Sequence, residues 1–111
     1  AYWQAGDYLL PQVEAPESPN IGIWGLRRLR FLREHRKPLY TAMLHSGELN
    51  AHLESIDRDA GQMLNRLIRQ HAAAEGITEE LKATDQIAWV QSMNSIRSRA
   101  QEIVIKELIF A

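Results

Sequence analysis

The sequence predicts a mainly α-helical fold, a small helical bundle built on a long antiparallel helical hairpin, with a short N-terminal β-hairpin or extended strap. Apolar residues alternate at spacings of four and three over residues 49–71, which is the period of one helix face. Gly47 and Gly76 each follow such a periodic segment, where helices commonly end. Three prolines before residue 20 exclude continuous helix at the start of the chain.

The first twenty residues are expected to be extended. Aromatic and apolar residues flank the turn signal Ala5-Gly6-Asp7, which favours a β-hairpin over residues 2–10. Pro11, Pro16 and Pro19 then favour an extended strap over residues 11–20.

Two short helices are expected over residues 21–47. The first, about 23–35, is amphipathic, with Trp24 and Leu32 on its apolar arc and its arginines on another. Pro38 suits the first turn of the second helix, and Gly47 suits its C-terminal end.

The remainder, residues 48–111, is expected to form the long hairpin. One helix covers about 48–75, Thr78 caps the next, and that helix continues to about 109. Its end, residues 103–110, is apolar nearly all round, so it must be covered by other elements or by a second copy, and a homodimer is a reasonable expectation.

The 111 residues suit one helical domain, 1–111. The absence of cysteine is typical of a reducing cytoplasm and excludes disulfides and thiolate metal sites. No apolar run approaches the roughly 20 residues of a membrane-spanning helix, so we expect a cytoplasmic protein without a membrane partner. No catalytic motif, phosphate-binding loop or metal-ligand spacing is present, which predicts a non-enzymatic protein with no cofactor and no metal.

The charge is uneven although the net charge is −1. Residues 27–37 contain six cations and only one carboxylate, that of Glu34. The six cations are Arg27, Arg28, Arg30, Arg33, Arg36 and Lys37. Arginines on one helical stripe can contact the phosphates of a nucleic acid, so these six are the candidate DNA-binding residues. Alternatively, they are a solvated face, an ion-paired face, with Arg30 bonded to Glu34, or a surface for an acidic protein partner.

A second polar group on the last helix is a candidate partner-binding edge: Asn94, Arg97, Arg99 and Glu107. Asn and Arg side chains offer the bidentate hydrogen bonds that recognition needs. The alternative is an ion-pair network across the hairpin. Glu107 falls within the apolar stripe, where we expect a carboxylate to have a cationic partner or to mark the exposed end of the stripe.

Several segments of the sequence carry a family resemblance. They are Gly6-Asp7-Tyr8 through Pro11, Gly22-Ile23-Trp24-Gly25, Glu34-His35-Arg36, Leu39-Tyr40-Thr41, Ser46-Gly47-Glu48-Leu49, Ala88-Trp89-Val90, Glu107-Leu108-Ile109 and, as the most specific part, residues 93–100. These segments resemble the transposon-encoded TnpV family, whose members are encoded on bacterial mobile elements. The resemblance implies residence beside recombination genes and carries over no catalytic residue. We therefore expect a non-enzymatic accessory or regulatory protein that binds DNA through the basic helix. The rival hypothesis is a protein-interaction module acting on a recombinase or a host defence component.

Overall fold

Five α-helices and one π-helix follow one another in residues 20–111, the part of the chain that the computed structural model describes. They are α1 Ile23–His35, α2 Lys37–Ser46, α3 Leu49–Ala74, α4 Glu79–Thr84, α5 Gln86–Val104 and the π-helix Ile105–Ile109. These residues contain no β-strand, which confirms the mainly α class for this part of the chain. The predicted hairpin and almost the whole predicted strap lie outside the described residues.

The turns between the helices follow the capping residues that the sequence provides. Pro38 lies in the first turn of α2. Gly47 and Gly76 adopt left-handed φ angles of 80° and 72°, a conformation that glycine takes without steric cost. The Thr78 hydroxyl accepts a hydrogen bond from the Leu81 N–H at 3.2 Å and so caps α4. These predicted boundaries are confirmed.

The prediction of one continuous final helix is wrong. Asp85 interrupts it, because its carboxylate accepts a hydrogen bond from the Ala88 N–H at 3.1 Å and starts a new helix. No Cα atom of α4 lies within 8 Å of a Cα atom of α3, so the part of the predicted helix that packs against α3 is the part after Asp85, α5 and the π-helix.

The described helices enclose two clusters of apolar side chains in a body of 54 × 26 × 23 Å. The buried members of the first are Trp24, Ala60, Val104 and Ile109, from α1, α3, α5 and the π-helix. Those of the second are Leu29, Leu32, Met43 and Leu53, from α1, α2 and α3. Because α1 contributes to both clusters, its orientation is fixed and so is the surface that it presents. None of the described helices is long and apolar enough to cross a membrane.

Candidate nucleic-acid interface

Helix α1 is held against α3 by an unusually close approach at Gly25. The Gly25 N–H donates a hydrogen bond to the Asp57 carboxylate at 3.0 Å, so a side chain of α3 satisfies an N–H of the first turn of α1. A Cβ atom at residue 25 would lie 2.7 Å from the side chain of Ile21 and 3.0 Å from the Leu53 carbonyl oxygen. Trp24 beside it is buried in the core. The absence of a side chain at Gly25 therefore allows the backbone of α3 to approach α1 closely.

Five of the six cations of the cluster lie on the solvent side of this fixed helix and its junction with α2. These exposed residues are Arg27, Arg30, Arg33, Arg36 and Lys37, which we call the basic face. Within residues 20–111, no carboxylate lies within 4.0 Å of any of their charged nitrogens. The ion pair considered between Arg30 and Glu34 is not formed, and Glu34 instead lies 3.9 Å from the His35 ring nitrogen.

The Arg27 side chain is held in place by the ring of Trp24. Its guanidinium carbon lies 5.0 Å from the centroid of the Trp24 ring, within the range of a cation–π contact. Such a contact at an exposed site contributes about 0.5–1 kcal/mol and leaves the N–H donors of the guanidinium available to an anion.

The inclusion of Arg28 among the six candidate DNA-binding residues is wrong, because Arg28 does not belong to the basic face. Its side chain is buried, and its guanidinium donates hydrogen bonds of 2.9 Å to the carbonyl oxygens of Ile109 and Ala111. Helix carbonyls near a C-terminal end have no partner within the helix, and a cation there also interacts favourably with the helix dipole. Arg28 is thus a structural residue that joins α1 to the π-helix.

His52 completes this internal arrangement and was not singled out by the sequence. The Arg28 Nε–H donates a hydrogen bond to its Nε2 atom at 3.2 Å, which requires the neutral imidazole. Burial, and secondarily the charge of Arg28, lower the pKa of His52 below its ordinary value of 6.5. Burial, followed by the charge of Arg36, lowers the pKa of Arg28 from its usual value.

A groove of about 540 Å³ is lined by residues of α1 and the π-helix and opens beside the basic face. Ile105, Ile109 and the two rings of Phe31 and Phe110 form its apolar part. Polar side chains also line it, namely those of Arg27, Arg30, Glu34, His35 and Arg36. The groove therefore combines a cationic margin with an aromatic surface.

The candidate partner-binding residues of the last helix have different environments in the structure. Arg99 donates two hydrogen bonds to the Glu75 carboxylate, at 2.8 and 3.2 Å, and so forms the ion pair across the hairpin that was the alternative reading. This contact lowers the pKa of Glu75 and raises that of Arg99. Asn94 and Arg97 are exposed on α5.

Glu107 is exposed and, among residues 20–111, has no cation within 4.0 Å, so the expected partner is not found in this part of the chain. The reason is the π-helix, in which the Phe110 N–H donates to the Ile105 carbonyl five residues earlier. Each such turn holds an extra residue, which rotates Glu107 away from the stripe that α5 presents to the core.

Comparison with known proteins identifies the family. A family model described as "Transposon-encoded protein TnpV" matches residues 1–109 of the chain. The chain belongs to the TnpV family. This TnpV protein matches no curated protein, and no solved structure matches it. In the described part of this family member, no three histidine, aspartate or glutamate side chains come together in a way that could hold a metal ion.

Proposed function

We propose that this TnpV-family protein is a non-enzymatic accessory or regulatory protein of its mobile element, and that it contacts the DNA backbone through the basic face. The observation that carries the proposal is that five cations are exposed and have no carboxylate of residues 20–111 within 4.0 Å of their charged nitrogens, namely Arg27, Arg30, Arg33, Arg36 and Lys37. Cations that are already ion-paired would have to lose those partners before binding phosphate. These five would lose only water and counterions.

The arrangement of the cations also suits a linear polyanion. Arg27, Arg30 and Arg33 follow one another at three-residue intervals on α1, so they extend over about 9 Å along the helix axis. Two clusters of core residues hold α1 in place, so little conformational freedom of its backbone would be lost on binding.

A charge-reversal variant tests the proposal. We expect Arg27→Glu, Arg30→Glu and Arg33→Glu together to lower the affinity for duplex DNA by about tenfold or more, because phosphate contacts become repulsions. Fluorescence anisotropy with a labelled duplex at low salt measures the affinity, and circular dichroism verifies that the helices are retained.

The matched control reverses three exposed arginines of α3, Arg58, Arg66 and Arg69, and so changes the net charge equally. This control should lose much less affinity. Equal losses in the two variants would show that DNA responds to total charge and not to the basic face.

The rival function, docking onto a recombinase or a defence protein, is favoured by one observation. Phe110 is 56% exposed at the apolar groove beside α1. This rival is preferred if the purified protein fails to bind duplex DNA at low salt but binds the purified product of a gene beside its own. A homodimer is a separate proposal, which sedimentation equilibrium tests directly.

A further inference from the structure

Three aromatic rings stand in series along the groove. The Phe31 ring lies 5.2 Å from the His35 ring and 5.1 Å from the Phe110 ring, measured between centroids, and the two phenyl planes differ by 28°. Phe110 at the end of the series is 56% exposed, an unusual position for a phenylalanine. We call these three residues the aromatic platform.

Arginine side chains border the aromatic platform. Arg27, Arg30 and Arg36 line the same groove, and the Arg36 guanidinium lies 5.9 Å from the Phe31 centroid. A volume of about 540 Å³ lies within the usual range of small-ligand sites, about 300–1,000 Å³, and so has room for a nucleobase and its sugar. Cationic grooves with stacking aromatic residues are a general means of holding single-stranded nucleic acid.

We propose that the groove takes an unpaired base of single-stranded DNA, which stacks on Phe110 while the adjoining phosphates contact Arg30 and Arg36. The proposal rests on the DNA contact proposed above and adds the form of DNA that this part of the surface recognises. Bases of a duplex are stacked on one another and paired, so the face of a base is accessible to Phe110 only in a single strand or at an unpaired position.

Glu34 separates this occupant from an acidic peptide, which the cations alone would also attract. Its carboxylate lines the groove and repels peptide carboxylates and DNA phosphates alike. It can, however, accept a hydrogen bond from the exocyclic amino group of a base such as cytosine, a group that an acidic side chain does not carry. The charges and the rings together therefore match a nucleotide better than an acidic segment of protein.

Substitutions at Phe110 test the proposal, with affinity measured for a single-stranded oligonucleotide and for the duplex of the same sequence. Phe110→Ala should weaken single-strand binding by about 5- to 150-fold, which corresponds to the ~1–3 kcal/mol of one stacked base. Phe110→Leu should also weaken it, since leucine is apolar but has no ring face. Phe110→Trp should preserve it. A 2-aminopurine base in the oligonucleotide should show fluorescence quenching with the wild-type protein that Phe110→Leu reduces.

The duplex measurement separates this proposal from the one on which it rests. Duplex affinity should be unchanged in all three Phe110 variants, because the basic face remains intact. Equal single-strand affinity for the wild type and Phe110→Ala would overturn base stacking, even if duplex binding persisted. Equal single-strand affinity for the wild type and Phe110→Leu would likewise overturn base stacking. It would indicate that residue 110 makes only an apolar contact, of the kind that a peptide could also make. Failure of the wild type to bind the duplex would instead refute the phosphate contacts of the basic face.

Discussion

The substitution Arg28→Ala tests whether the cations of the cluster have two different roles. It removes the donors to the carbonyl oxygens of Ile109 and Ala111 and to His52. A buried acceptor left unsatisfied costs about 1–3 kcal/mol, and the Ile109 contact is buried whereas the other two are partly accessible to water. The two partly accessible hydrogen bonds add about 0.5–1.5 kcal/mol each, which brings the sum to about 2–6 kcal/mol. Because the burial penalty that the guanidinium no longer carries offsets part of this sum, we expect a loss of about 2–4 kcal/mol in the free energy of unfolding.

The assay is urea unfolding followed by circular dichroism, in which this loss lowers the midpoint by about 1–2 M for a domain of ordinary urea sensitivity. Arg33→Ala is the control on the same helix, since Arg33 is exposed on the basic face and should change stability by less than about 0.5 kcal/mol. If both variants unfold at the same midpoint, the internal role assigned to Arg28 is wrong.

Three further predictions concern the stability of the helical framework. Because the pKa of His52 is lowered from 6.5 in the folded protein, the unfolded chain binds a proton at this residue more readily. The contribution of His52 to stability should therefore be constant above pH 6.5 and decrease as the pH falls below it. The urea midpoint should depend less on pH in His52→Gln than in the wild type. Gly25→Ala should destabilise the protein by about 1–3 kcal/mol, because its Cβ atom would meet the backbone of α3. Gly61→Ala should stabilise it by about 1 kcal/mol, because no atom lies within 4 Å of the added Cβ atom. Melting temperatures that shift in the same direction in both variants would contradict this pair of predictions. Asp85→Ala should cost about 1 kcal/mol through loss of the cap of α5, seen as a lower urea midpoint, and an unchanged midpoint would show that the cap is dispensable.

Local signals were sufficient to predict most of the described fold. The start of α2 and the turns at Gly47 and Gly76 follow from the restricted φ of proline and the permissive φ of glycine, which act within a few residues. The break at Asp85 had a local signal as well, an aspartate just before an apolar segment. It was missed because no proline or glycine marks the break.

The candidate site was predicted less completely, because part of it depends on contacts that are distant in the chain. Arg28 lies four residues from both Trp24 and Leu32, so its place on the buried arc was recognisable. Its two carbonyl acceptors, at Ile109 and Ala111, however, lie more than eighty residues away. The groove likewise forms only when Phe110 meets Phe31, and the rotation of Glu107 depends on a π-helix that no local pattern indicated.

The dependence of duplex affinity on salt concentration tests the central claim, that the basic face holds DNA by its phosphates. If all five cations contact phosphate, the logarithm of the association constant should fall against the logarithm of salt concentration with a slope of about −4.5, from about −0.9 per contact. Replacing Arg27, Arg30 and Arg33 by Gln should bring that slope to about −1.8, since two contacts remain. The same slope for both proteins would contradict the account.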